Sequence, residues 1–118
     1  MLVVAVTITA KPGSEAHLIE GVRKLVNDAR GRPGLRYTKV ARRIEEGRVR
    51  LLIIKEYESA ADMQRFAEQD QAGAEVLSPF IESAEGGMWE AIDVEFDADS
   101  ARPVFDELKQ PFGFVGAG

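Results

Sequence analysis

The chain has 118 residues, of which 45% are apolar and 30% are charged, and its net charge is −5. This length and composition predict one globular domain. The absence of cysteine excludes disulfides and thiolate sites, and the negative charge argues against nucleic acid as a partner.

The first part of the chain predicts a strand followed by a helix. Alternating side chains over residues 2–10 predict the strand, and the apolar run at 2–6 is too short for a signal segment or a membrane span. We therefore expect a cytoplasmic protein with no membrane contact. The apolar spacing predicts a helix over 14–30, with Ser14 as its N-cap and Gly31 just past its end.

The remainder predicts two strands, helical segments and a last strand. The two strands flank Glu45-Glu46-Gly47, where Gly47 suits a left-handed hairpin turn. Ser59 and Asp62 are spaced as in a capping box and predict the next helical start. Pro79 is expected to end or restart a helix near Ser78, and a last strand is predicted over 88–96.

This order of elements, βαββαβ, predicts a ferredoxin-like α+β fold with an antiparallel four-stranded sheet. The first and third strands should be central. We expect residues 1–96 to form the domain. Residues 97–118 would form a C-terminal extension, which packs on the domain or on a partner subunit.

The third strand suggests an oligomer. Leu51-Leu52-Ile53-Ile54 is apolar on both faces, whereas a sheet with one wet face shows alternation. The helices can cover only one face, so we expect a homodimer in which a second subunit covers the other. The alternative is a strand covered by helices that leaves a modest exposed apolar patch.

The hairpin is basic, with arginines or lysines at positions 36, 39, 42, 43, 48 and 50. RNA recognition on a four-stranded sheet needs aromatic side chains on the central strands, and these strands carry leucine, isoleucine and valine instead. We therefore expect the basic strands to face an acidic partner surface or to attract an anionic ligand.

Three short motifs carry a family resemblance over residues 2–96. These are Lys-Pro-Gly at 11–13, Arg-Pro-Gly-Leu-Arg-Tyr at 32–37 and Ile-Lys-Glu-Tyr-Glu-Ser at 54–59. The chain thereby resembles the antibiotic biosynthesis monooxygenase family of the dimeric α+β barrel superfamily. The resemblance implies a dimer. It also implies one of two activities: oxidation of phenols or quinols without a cofactor, or haem degradation.

Individual positions refine what the resemblance implies. Tyr37 and Glu56 match the family pattern and are the candidate catalytic residues. Tyr57 stands where relatives usually carry tryptophan, and Phe66 and Gln71 stand where they often carry histidine.

The haem-degrading branch needs a histidine near Val76 and an asparagine near Val6, and this chain has neither. The only histidine, His17, falls on the polar side of its predicted helix. We therefore expect no haem, flavin or metal.

A pocket between the sheet and the second helix is the predicted site. The residues expected to line it are Val6, Tyr37, Tyr57, Met63, Phe66 and Trp89, with Glu56 nearby. An apolar pocket with a tyrosine hydroxyl would suit a small aromatic molecule of the phenol or quinol type. The alternatives are a non-catalytic ligand-binding or structural module of the same fold, and plain core packing of these aromatics.

Overall fold

A computed structural model describes residues 1–92 and shows one antiparallel sheet with the strand order β2-β3-β1-β4. Its elements in chain order are β1 (Leu2–Ala10), α1 (Glu15–Ala29), β2 (Leu35–Glu45), β3 (Arg48–Tyr57), α2 (Ala60–Arg65), α3 (Ala67–Leu77), a 3-10 turn (Ser78–Phe80) and β4 (Ile81–Glu90). The predicted βαββαβ order is confirmed, and so is the central position of β1 and β3.

Local signals place the turns as predicted. Glu46 and Gly47 both have positive φ, 52° and 75°, as a two-residue hairpin turn between β2 and β3 requires. The Ser59 hydroxyl oxygen accepts a hydrogen bond from the Asp62 backbone N–H at 3.2 Å and so caps α2. Ser14 is the N-cap of α1 but makes no side-chain cap; the Glu15 carboxylate instead accepts from the Gly13 N–H at 2.6 Å.

The prediction for the last strand is wrong in its bounds. β4 begins at Ile81, seven residues before the predicted start, and runs through Gly86 and Gly87, whose strand propensity is low. These residues pair with Val6 and Ala5 of β1, whose backbone groups need a partner on that edge. Residues 93–96 of the predicted strand and the extension at 97–118 lie outside the described residues.

The helices pack on one face of the sheet, and nothing else among residues 1–92 covers the opposite, open face. The buried apolar core on the helical side consists of Ile8, Ala10, Leu18, Val22, Leu51 and Leu77. Gly21 lets α1 approach α3, since a Cβ there would lie 2.2 Å from Leu77 Cδ2. Within residues 1–92, no helix has the length and apolar character needed to cross a membrane.

Candidate functional site

A cavity of ≈ 350 Å³ lies between the helical face of the sheet and the three helices. Its strand residues alternate along β1 and β3, as side chains that share one face must. The lining comprises Val4, Val6 and Ile8 of β1, Val22, Leu25 and Val26 of α1, Ile53, Lys55 and Tyr57 of β3, Met63 of α2, Ala67, Asp70, Gln71, Ala74 and Leu77 of α3, and Ile81 of β4. The wall is mostly apolar, with a few polar groups, which is the usual character of a small-molecule site.

The α3 wall follows helical spacing. Ala67, Asp70, Gln71, Ala74 and Leu77 recur at intervals of three or four residues, so they form one stripe that faces the sheet. Two of the five are alanines. Because alanine side chains are small, the space that larger side chains would fill at these two positions is part of the cavity.

The charged groups of the cavity meet at Asp70. Arg32 Nη1 lies 2.8 Å from Asp70 Oδ1, and Lys55 Nζ lies 3.5 Å from the same oxygen. The Arg32 guanidinium also stacks over the Phe66 ring, with Cζ 4.7 Å from the ring centroid. Arg32, which precedes β2, thus ties α3 to the edge of the sheet.

This arrangement shifts two pKa values. Burial alone would lower the pKa of Arg32, but the hydrogen bond to Asp70 and its negative charge outweigh burial and raise that pKa. Burial raises the pKa of Tyr57, the charge of Asp70 adds to the rise, and Arg32 opposes it. The Tyr57 hydroxyl therefore stays protonated at neutral pH. It is buried and has no hydrogen-bond partner among residues 1–92.

Three of the predicted pocket residues line the cavity: Val6, Tyr57 and Met63. Phe66 does not line it. Phe66 lies between α2 and α3, its backbone is not helical (φ −110°, ψ 8°), and its ring lies under Arg32 instead.

The other predicted residues lie on the opposite face of the sheet. Tyr37 pairs with Glu56, Glu56 with Val3, and Val3 with Trp89, so the four form a row across the open face. The expectation that Tyr37, Glu56 and Trp89 share the cavity is therefore wrong. Glu56 precedes Tyr57 in the same strand, and neighbouring strand residues point to opposite faces.

The sequence prediction missed the charged end of the cavity. Lys55 could have been found, because it lies two residues from both Ile53 and Tyr57 on one strand face. Asp70 and Arg32 are 38 positions apart in the chain, and only the packing of α3 brings them together. His17 is exposed as predicted, and its ring stacks on Phe80 at 5.4 Å.

A second and more polar groove of ≈ 410 Å³ lies where the β2–β3 hairpin meets β4. Both of its arginines are paired with carboxylates: Arg48 Nε lies 2.8 Å from Glu82 Oε2, and Arg50 Nη1 lies 3.0 Å from Glu45 Oε2. It has no enclosed apolar body, so the helical-side cavity is the better candidate for binding a small molecule. Within residues 1–92, no three His, Asp or Glu side chains are grouped as metal ligands.

Comparison with known proteins identifies relatives of this fold. The family described as antibiotic biosynthesis monooxygenase matches residues 1–75. A Deinococcus radiodurans structure, provisionally described as such a monooxygenase, superposes with a TM-score of 0.71 at 17% identity, covering 82% of this chain and 98% of that one. A Nitrosomonas europaea structure with the same provisional description gives 0.69 at 14% identity, covering 79% and 100%.

The structure of PA3566 from Pseudomonas aeruginosa gives a TM-score of 0.67 at 18% identity, covering 78% of this chain and 94% of that one. At these identities the structural likeness establishes the fold alone. No curated protein matches the chain.

Proposed function

The chain belongs to the antibiotic biosynthesis monooxygenase family, and on that premise we propose that it oxidises a small phenol- or quinol-type aromatic with molecular oxygen, without a cofactor. The observation that carries the proposal is the form of the cavity: an apolar body of ≈ 350 Å³ with its charged groups gathered at one end. A flat ring system would lie against the apolar walls, with its oxygen at the Lys55 end.

The chemistry needs no external reductant, because the substrate supplies all the electrons. A phenol that becomes a quinone loses four electrons. One atom of O₂ enters the ring as the new carbonyl oxygen, and the other leaves as water together with two hydrogens from the substrate. The protein has to bind the phenol, assist loss of its proton and hold the electron-rich anion away from bulk water.

The lining residues would divide these tasks. Lys55 would stabilise the phenolate by its charge, and Asp70 is the carboxylate placed to take the proton. Apolar side chains such as Val6 and Ile53 would position the ring.

We also propose that the open face of the sheet is the interface of a homodimer. Leu52, Tyr37 and Trp89 keep 37%, 45% and 64% of their surface exposed there. On this face β2 carries Lys39, Arg43 and Glu45, a net positive charge, and β4 carries Glu85. A two-fold arrangement with β2 over the partner's β4 would pair these charges. Tyr37 and Glu56 would then be interface residues.

A second function is a binding module without catalysis. The observation that favours it is the lack of an imidazole in the cavity: the only histidine of the sequence, His17, lies on the exposed side of α1. Such a protein would bind the same aromatic and leave it unchanged.

Oxygen uptake with a panel of hydroquinones and anthrones tests these proposals. We expect turnover for at least one compound. Lys55→Met and Asp70→Asn should lower kcat, whereas Tyr37→Phe, on the other face, should keep it. If no compound consumes oxygen but several raise the melting temperature, the binding module is correct. If none raises the melting temperature, the cavity is not the site.

A further inference from the structure

We infer that the cavity selects ligands that carry a single negative charge at one end, and that Lys55 holds this charge. The ligand class is a monoanion, a phenolate or a carboxylate, with an apolar body that occupies the rest of the cavity. The inference rests on the proposed function for the location of the site, and it adds the charge of the ligand and the residue that recognises it.

The first argument is the number of charges. Among residues 1–92, Lys55 and Asp70 are the charged groups of the lining, and Arg32, which is outside the lining, also pairs with Asp70. Two cations thus share one carboxylate, and both contact the same oxygen, Oδ1. This end of the cavity therefore carries an excess of one positive charge.

The second argument is how the two cations share that oxygen. The Arg32 contact, at 2.8 Å, has the length of a charge-assisted hydrogen bond. The Lys55 contact, at 3.5 Å, is longer than a normal hydrogen bond. Oδ1 of Asp70 is thus paired more strongly with Arg32 than with Lys55. The Lys55 ammonium, whose side chain is only 20% exposed, can donate a hydrogen bond to another anionic oxygen without breaking a strong bond.

The third argument is an unused donor. Tyr57 is 0% exposed, and its hydroxyl has no hydrogen-bond partner among residues 1–92. Arg32 and Asp70 lie close enough to act on its pKa by hydrogen bonding and charge, so the hydroxyl lies at the charged end, but neither group makes a hydrogen bond of normal length and angle with it. Buried hydroxyls are normally satisfied. A ligand oxygen bound to Lys55 would bring an acceptor to the same end.

The rest of the lining explains why the ligand should carry only one negative charge. Away from Lys55 and Asp70, the lining that residues 1–92 supply is apolar except for Gln71. A second anionic group on the ligand would be buried there without a counter-charge, which is costly. A dianion should therefore be rejected.

Three naphthalene probes test the inference by calorimetry at about pH 7, with the full chain. 2-Naphthoate is a monoanion, 2-naphthol is neutral because phenols ionise near pH 10, and naphthalene-2,6-dicarboxylate is a dianion. We expect naphthoate to bind about tenfold tighter than naphthol, the size of one hydrogen bond to a charged group, and the dianion to bind more weakly than naphthoate.

Variants assign the preference to Lys55. Lys55→Met should remove the naphthoate preference and still bind naphthol, while Lys55→Arg should keep the preference. Lys24→Met, which removes an exposed lysine of α1 away from the cavity and from the open face, is the matched control and should behave as the unmodified chain.

Two results would overturn the inference and can be told apart. If naphthoate and naphthol bind equally, or if Lys24→Met loses the preference as Lys55→Met does, the assignment of the charge to Lys55 is wrong, but the cavity is still a ligand site. If no probe binds, the cavity fails as a ligand site, and the proposed function fails with it.

Discussion

Leu52→Asp should separate the proposed homodimer into folded monomers. Leu52 lies near the middle of the open face, beside Thr7 of β1 and Ala41 of β2, and keeps 37% of its surface exposed. The helices lie on the other side of β3, so the substitution leaves the core of the protomer intact.

The structure sets the size of the effect. Full burial of a leucine side chain stabilises by about 1.5–3 kcal/mol, so covering the exposed third of Leu52 contributes about 0.5–1 kcal/mol per protomer. A two-fold interface contains the residue twice, which gives about 1–2 kcal/mol per dimer. Burial of two unpaired carboxylates costs several kcal/mol more. The dissociation constant should therefore rise by about a thousandfold or more.

Sedimentation equilibrium at micromolar concentration measures this change, and circular dichroism checks that the variant stays folded. Ile44→Asp is the matched control: Ile44 is 73% exposed and lies on the helical side of the edge strand β2, so the dimer should persist. A monomeric unmodified chain would refute the reasoning. So would a Leu52→Asp variant that associates as tightly as the unmodified chain.

Three further predictions concern stability and are checked by urea unfolding. Arg32→Met should lower the free energy of unfolding by about 1–3 kcal/mol, because partly buried Asp70 then keeps only its weak contact with Lys55. Arg23→Met, which breaks the exposed pair with Glu20, should cost less than about 0.5 kcal/mol. Equal losses for the two variants would contradict this. Ser59→Ala should cost about 1 kcal/mol through loss of the α2 cap, and an unchanged midpoint would show that the cap is not needed. Burial first, and then the charge of Asp70, raise the pKa of Tyr57, so above about pH 10 the unfolded chain loses a proton that the native state keeps. The free energy of unfolding should therefore fall as pH rises through this range, and Tyr57→Phe should make that fall less steep. If the pKa of the hydroxyl were not raised, the substitution would leave the pH dependence unchanged.

Much of the fold could be predicted from the sequence because its signals are local. The left-handed turn at Gly47 and the cap at Ser59 each depend on a few neighbouring residues. β4 could not be placed, because Gly86 and Gly87 have no strand preference of their own. They join the sheet only because β1 offers them a partner.

The candidate site was less predictable, since it depends on strand parity and on packing. Val6 and Tyr57 line the cavity because they lie on the helical face of the two central strands. Tyr37 follows an irregularity in β2 between Leu35 and Tyr37, which sets its face and leaves no clear mark in the sequence. Asp70 reaches the cavity through the position of α3 as a whole.

The alanine-rich wall of α3 has an evolutionary consequence. Ala67 and Ala74 face the cavity and lie outside the buried core, so exchanging them for larger residues would reshape the bound space at little cost in stability. Descendants of such a protein could change the size of molecule that they accept by single substitutions on one helix. The sheet and Lys55 would keep their positions. The range of accepted substrates would then change through substitutions on α3, while the sheet stays the same.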